Sequence, residues 1–198
     1  QLRKTSINRI SLGIQSFDDR VLQFMNRRHS ASEARECVER LRNSGYDNIS
    51  IDIIFGVAGF GDKWLRNTIE EAIKLNAEHI SAYHLTVEER TRLGVLVRKG
   101  EYQPVSEEQS ESDYNLVESL LCKAGYEHYE VSNYAREGYR AKHNSAYWRG
   151  VEYLGIGAGA HSFSGNDRRS GDDRCRSRDR RRCDLLRDGH GDCSEHWG

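Results

Sequence analysis

Ile49-Ser50-Ile51-Asp52-Ile53-Ile54-Phe55-Gly56 is the stretch whose reading decides the fold. β-branched and aromatic side chains fill it, as suits a pleated strand packed against neighbours, and Gly56 ends it. The segment that follows carries Leu65, Ile69, Ala72 and Ile73 on one helical face, and residues 79–85 read as the next strand. Upstream, residues 7–17 alternate. Ile10, Leu12 and Ile14 fall on one side, and Arg9, Ser11, Gly13 and Gln15 on the other. Between these strands Ser30-Ala31-Ser32-Glu33 reads as a capping box. It is followed by Ala34, Cys37, Val38 and Leu41 at helical spacing and by Gly45 as the stop. Strand, helix, strand, helix, strand requires crossovers that return the chain to the same end of a sheet, so the pattern predicts parallel βαβ units and an α/β fold. Periodicity does not distinguish an open sheet from one curved into a barrel.

Past Glu88 the rhythm changes, and the spacing predicts an appended α+β region over residues 89–165. Residues 91–99 read as a short helix closed by Gly100. Ser106 and Gln109 read as a second capping box, opening a helix with Tyr114, Val117, Leu120, Leu121 and Ala124 on its apolar face and Gly125 at its end. Short strands are expected near residues 128–131 and 153–155. From residue 166 to 198 the chain turns to Arg, Asp, Gly, Ser and Cys, with Leu185 and Leu186 almost its only aliphatic residues. That composition cannot bury enough apolar surface to offset ordering entropy, so a disordered or out-of-frame tail is expected.

A net charge of -1 over 198 residues leaves no basic footprint for nucleic acid or acidic lipid. No apolar run of about 18 residues is present to span a bilayer. The opening residues lack an apolar signal region, and a soluble cytoplasmic protein is the expectation. The five cysteines are Cys37, Cys122, Cys175, Cys183 and Cys193, and none forms a close pair or triplet of the kind that grips zinc or an iron–sulfur cluster.

In parallel α/β folds ligands gather at the carboxyl ends of strands. Gln15 stands at such an end. Asp52 lies within the second strand on the side opposite Ile49, Ile51, Ile53 and Phe55, where a carboxylate needs a partner. Arg27 or Arg28, on the loop after the first strand, is the expected partner. Gln15, Arg27 and Asp52 together suit a zwitterionic ligand with ribose hydroxyls, and the plainer alternative is a structural salt bridge. His143-Asn144-Ser145-Ala146-Tyr147-Trp148 offers a nitrogen ligand beside flat apolar walls, with Arg140 and Lys142 near enough in sequence to meet propionates. The alternative there is a buried turn around a hydrogen-bonded histidine. The glycine-rich residues 155–163 are not followed by a helix that could aim its N-terminus at an anion, so a tight backbone passage is expected rather than a phosphate loop. His79, His84, His128 and His161 read as structural histidines.

Four stretches with colinear spacing carry a resemblance: residues 8–17, Asn26-Arg27-Arg28-His29, residues 49–56 and residues 79–85. From about Arg9 to Phe163 the chain resembles the radical S-adenosylmethionine (SAM) proteins of the oxygen-independent coproporphyrinogen III oxidase-like family. The string at residues 143–148 resembles the haem-binding motif of the family's HemW-type haem-chaperone branch. The resemblance implies a partial (β/α) radical-SAM barrel over residues 1–88. It implies SAM contacts by Gln15, Arg27 and Asp52, and haem contacts by His143, Tyr147 and Trp148, with His143 on the iron. It also implies a [4Fe–4S] cluster in the intact relative, and haem or porphyrin and a haem-acceptor protein as partners.

Two departures stand out. The family's cysteine triplet is absent and is expected upstream of residue 1, which makes this chain a fragment expected to be inactive as given. The family's Gly-Leu-Pro-Gly-Gln-Thr turn is replaced by Gly56-Val57-Ala58-Gly59-Phe60-Gly61, and losing the proline is expected to loosen it. The leading functional reading is a haem chaperone dependent on SAM and a cluster. The alternative within the family is oxidative decarboxylation of coproporphyrinogen III in porphyrin biosynthesis. A third reading, a barrel hydrolase or isomerase, would use Asp52 or His84 as acid or base.

Overall fold

The alternation in residues 49–55 becomes strand β2 (Ile49–Phe55) at the centre of a parallel trio with β1 (Ile10–Gln15) and β3 (His79–His84). The computed structural model describes residues 4–61, 63–155, 160–165 and 167–170. Helices α1 (Asp19–Phe24) and α2 (Ala31–Asn43) link β1 to β2, and α3 (Lys63–Lys74) links β2 to β3. Beyond β3 come α4 (Arg92–Arg98), α5 (Glu107–Lys123), β4 (Glu127–Glu130) and β5 (Asn133–Ala135). The five strands form one sheet in the order β1-β2-β3-β5-β4, and β5 lies antiparallel to both of its neighbours.

Chain contacts divide the molecule into two units, Gln1–Ala141 and Lys142–Gly198. The sequence reading set a boundary near Glu88. Hairpin β4–β5 comes from beyond that point yet pairs with β3 through Ala135, Tyr134 and Asn133, which ties the appended elements into the first sheet. The second unit holds α6 (Lys142–Trp148) and the hairpin of β6 (His161–Ser164) with β7 (Asp167–Ser170). Asp167–Ser170 belongs to the segment expected to be a disordered tail, and its main chain pairs with β6. Residues 171–198 of that tail lie outside the described residues.

One side of the five-stranded sheet is apolar. Ile49, Ile51, Ile53 and Ile80 on it are fully buried, in one cluster with Val38 of α2, Leu65 and Ile69 of α3, and Val117 and Leu121 of α5. Each such side chain is stabilised by roughly 1.5–3 kcal/mol on leaving water. Helices covering a single side of parallel strands match the organisation of a barrel wall; a doubly wound sheet is covered on both sides.

The helix termini follow the local sequence. Both bonds of the Ser30–Glu33 capping box form, at 3.2 Å from the Glu33 amide to Ser30 Oγ and 2.8 Å from the Ser30 amide to Glu33 Oε2. At α5 only half of the expected box forms. Ser106 Oγ accepts the Gln109 amide at 3.2 Å, while the Gln109 side chain turns forward to donate to Asp113 at 2.9 Å.

Candidate functional site

The other side of the sheet is polar, because the residues alternating with the buried isoleucines are Ser50 and Asp52 on β2, Ser11 and Gly13 on β1, and His79, Ser81 and Tyr83 on β3. In register, Gly13, Asp52, Ser81 and Asn133 form one row across four strands. Asp52 sits within this row, half-buried. Ser11 Oγ donates to its Oδ1 at 3.5 Å, and Ser81 also donates. Burial nevertheless raises the carboxyl above its ordinary range, against the opposing effects of Ser81, Ser11 and Arg9. At the end of the same row Asn133, 3% exposed, donates its amide to Glu130, but its Oδ1 is buried without a hydrogen-bond partner. The half-exposed acceptor of this row is Asp52, a group suited to the hydroxyls or ammonium of a ligand.

The cation beside Asp52 is Arg9, not Arg27 or Arg28 as expected from sequence. Arg9 shares parity with Ser11 and Gly13, so it stands on the polar side of β1. Its guanidinium donates to Asn48 Oδ1 at 3.2 Å and to the Tyr139 carbonyl at 3.0 Å, and burial lowers its pKa. Arg27 is exposed on the α1–α2 connection and makes no ion pair with Asp52. Two residues on, His29 Nε2 meets the Ile14 carbonyl at 3.0 Å, which holds this connection at the carboxyl end of β1. Gln15 adopts a left-handed φ of 70° there, at an irregularity in the β1–β2 register. Its amide nitrogen folds back over Gly13, only 2.8 Å from where a Cβ would stand. Gly13 is opposite Asp52, so the Gln15 amide and Asp52 approach one patch of the polar side, while Arg27 is exposed on the connection that follows β1.

The turn after β2 is anchored in ways the sequence did not disclose. Tyr102 Oη accepts the Ala58 amide at 3.0 Å, and the Phe60 ring lies 5.6 Å from Phe24 and 6.5 Å from Trp64. Gly56, at φ 76°, lies beneath the His84 ring, where a Cβ would come within 2.5 Å of Nε2. His84 itself packs edge-on to Phe55 and pairs with Ser110 at 3.0 Å. Its register with Phe55 puts it on the side opposite Asp52, so the two do not form an acid–base pair.

A buried chain of hydrogen bonds lies on the polar side towards the amino ends of the strands. Ser50 Oγ meets His79 Nδ1 at 2.8 Å, and His79 Nε2 meets Tyr129 Oη at 2.7 Å. Tyr129 Oη also accepts the Ala141 amide at 3.2 Å. Burial, with a smaller contribution from Arg9, pushes the His79 imidazole down to about 3, so it stays neutral. His79 is a structural histidine.

Within the second unit, α6 presents His143, Tyr147 and Trp148 to solvent, where the sequence alternative was a buried turn. His143 Nε2 and Tyr147 Oη are 2.9 Å apart. The Tyr147 ring stands edge-on to His143 at 4.8 Å and to Tyr153 at 4.7 Å. Trp148 is 70% exposed, with Val151 and Leu154 exposed after it. In the first unit, Arg140, expected to meet a propionate, is paired instead with Glu127, its Nε donating at 2.8 Å. In the glycine-rich stretch the Gly155 amide donates to Ser162 Oγ at 2.9 Å, and a Cβ on Gly155 would collide with the His161 carbonyl. Residues 156–159 lie outside the described residues.

On the polar side the residues that would suit SAM are Asp52, as an acceptor for hydroxyls or an ammonium, and Gln15, through its amide. An iron–sulfur cluster does not fit the described residues. Cys37 and Cys122 are on separate helices, and no group of three or more His, Cys, Asp or Glu is placed to hold a metal. Among the described residues no helix is long and apolar enough to cross a membrane.

Residues 1–72 match the radical SAM superfamily. The chain is 39% identical over 167 residues to the haem chaperone HemW of Bacillus subtilis, a match spanning 84% of this chain and 44% of that protein. It is 36% identical over 162 residues to HemW of Lactococcus lactis, spanning 82% and 43%. A match at 35% identity to the mitochondrial radical S-adenosyl methionine domain-containing protein 1 of Danio rerio spans 78% and 35%. Among solved structures, the fold resembles Escherichia coli coproporphyrinogen III oxidase (HemN), a radical SAM enzyme, with a TM-score of 0.65 at 20% identity over 83% of this chain and 41% of that one. The chain spans less than half the length of the curated relatives it matches. Residues 1–72 thus carry a radical SAM match, the α/β sheet is similar in fold to HemN, and the chain is similar over part of their length to haem chaperones named HemW.

Proposed function

We propose that the chain is part of a HemW-like haem chaperone, which binds haem through α6 and passes it to an acceptor protein in the cytoplasm. One observation carries the reading: an imidazole and two aromatic rings, His143, Tyr147 and Trp148, stand exposed on a single short helix. An exposed tryptophan beside a histidine costs solvation in isolation, and a flat apolar macrocycle with a central iron repays it. His143 is the iron ligand, and Tyr147 and Trp148 are the apolar walls.

SAM belongs to the same reading. When bound, it would supply an adenosyl group on a sulfonium. Gln15 and Asp52 would hold the ribose and methionine ends by hydrogen bonds, and Arg27 would neutralise the carboxylate. Arg9 partly compensates the Asp52 charge. The cluster of the intact relative finds no ligand set among the described residues, and no step is assigned to it.

The test is a ferric haem titration of the chain and of His143→Ala, followed by the Soret band. The wild type is expected to saturate at one haem per chain with a shifted band, and the variant to lose the shift. Equal titrations would remove His143 from the site. Tighter binding of coproporphyrinogen III than of haem would favour the oxidase alternative.

A further inference from the structure

The same hydrogen bond that orients His143 also blocks it. Nε2 is the imidazole nitrogen that points away from the main chain, and it is the one a flat macrocycle can reach without striking the helix that bears the ring. In this structure Tyr147 Oη lies 2.9 Å from that nitrogen. If Nε2 is bare, the phenol donates to its lone pair. If Nε2 carries the proton, it donates to the phenol oxygen. Either tautomer leaves Nε2 unable to coordinate iron until the contact breaks.

The blocking group is itself held in place. Tyr153 packs edge-on against the Tyr147 ring at 4.7 Å, and Tyr153 in turn stacks on Phe163 at 6.2 Å and pairs with it through a main-chain bridge. The hydroxyl is therefore aimed by a row of rings that runs from α6 to β6. The contact is exposed, so it has the modest strength of a hydrogen bond in competition with water.

We propose that the Tyr147 hydroxyl is a built-in competitor with haem iron for Nε2 of His143, which keeps haem affinity low enough for release to an acceptor. The proposal rests on His143 being the iron ligand. On loading, with the ring proton on Nδ1, the iron–Nε2 bond forms as the hydrogen bond donated by the Tyr147 hydroxyl to Nε2 breaks, and the phenol turns its proton to water. On release the hydrogen bond re-forms and offsets part of the cost of losing the iron. Tyr147 is thus a positioning residue that acts through His143, in addition to any packing of its ring on the macrocycle.

The experiment compares wild type, Tyr147→Phe, His143→Ala and the double variant. Each is titrated with ferric haem and with iron-free protoporphyrin IX, and haem release to excess apomyoglobin is timed. Phenylalanine keeps the ring and removes only the exposed hydroxyl, so the fold is preserved. Tyr147→Phe is expected to tighten ferric haem binding roughly two- to tenfold and to slow release by a similar factor, the range one such hydrogen bond supplies. It is expected to leave iron-free porphyrin unchanged and to have no effect when His143 is already alanine. Unchanged or weaker haem binding by Tyr147→Phe would overturn the proposal while leaving His143 as ligand. Equal tightening for iron-free porphyrin would also overturn it, since ring packing alone would then explain the gain. Identical haem binding by His143→Ala and wild type would sink the ligand reading and this proposal with it.

Discussion

Acidification from pH 7 to pH 5 should cost the fold about 2 kcal/mol through His79 alone. The imidazole stands between Ser50 and Tyr129 and is 1% exposed. Burial, and secondarily Arg9, depresses it from 6.5 to about 3. An unfolded chain takes up the proton as the pH falls through 6.5, whereas the folded chain does not until about 3. Stability is therefore fully present above the unfolded value and is lost progressively on the way down to the folded one. Each pH unit within that window is worth about 1.4 kcal/mol, and integration from pH 7 to pH 5 gives about 2 kcal/mol. The assay is urea unfolding of wild type and His79→Gln at both pH values, with the glutamine as a reference that cannot titrate. Wild-type stability relative to the variant should fall by about 2 kcal/mol between the two conditions. A difference that is the same at both pH values would refute the burial argument.

Asp52→Asn should stabilise the fold at neutral pH and weaken SAM binding, because the carboxyl is raised by burial and its ionised form is the unfavourable one. Raised folded pKa means that wild-type stability falls as pH rises above the ordinary aspartate range, so the variant's advantage should vanish in acid; thermal melts and calorimetric titration with SAM would show both effects. Ile51→Ala removes a fully buried side chain between β1, β3 and the helical layer, and should cost about 2–5 kcal/mol in urea unfolding. Tyr102→Phe should free the Ala58 amide and raise hydrogen exchange in residues 57–61, with little change elsewhere.

The parallel strands and their helices were readable because β2 needs apolar residues on its helix-covered side, and Ile49, Ile51 and Ile53 show that period directly. Strand β5 was missed, since three residues, Asn133-Tyr134-Ala135, carry no periodic signal; their pairing with β3 is decided by tertiary contact. Helix α1 was missed for a related reason: it is six residues long, and its Asp18 cap bonds the Arg20 amide without a capping box to mark it. At the site, the polar parity of Arg9, Ser11, Gly13 and Gln15 was visible in the alternation. The register that sets Arg9 near Asp52 was not, because the distance in sequence favours no particular pairing between strands. Ser81 and Asn133 join the row only through the β2–β3–β5 register. The proline-free turn after β2 looked weak in sequence because its support, Tyr102 and Phe24, comes from distant segments.

The most direct test of the account is haem handover. The chain is loaded with one equivalent of ferric haem, mixed with excess apomyoglobin, and followed at the Soret band. A reversible carrier should form a defined one-to-one complex and then surrender its haem completely. Failure to form that complex, or haem that stays on the chain in the presence of the acceptor, would contradict it.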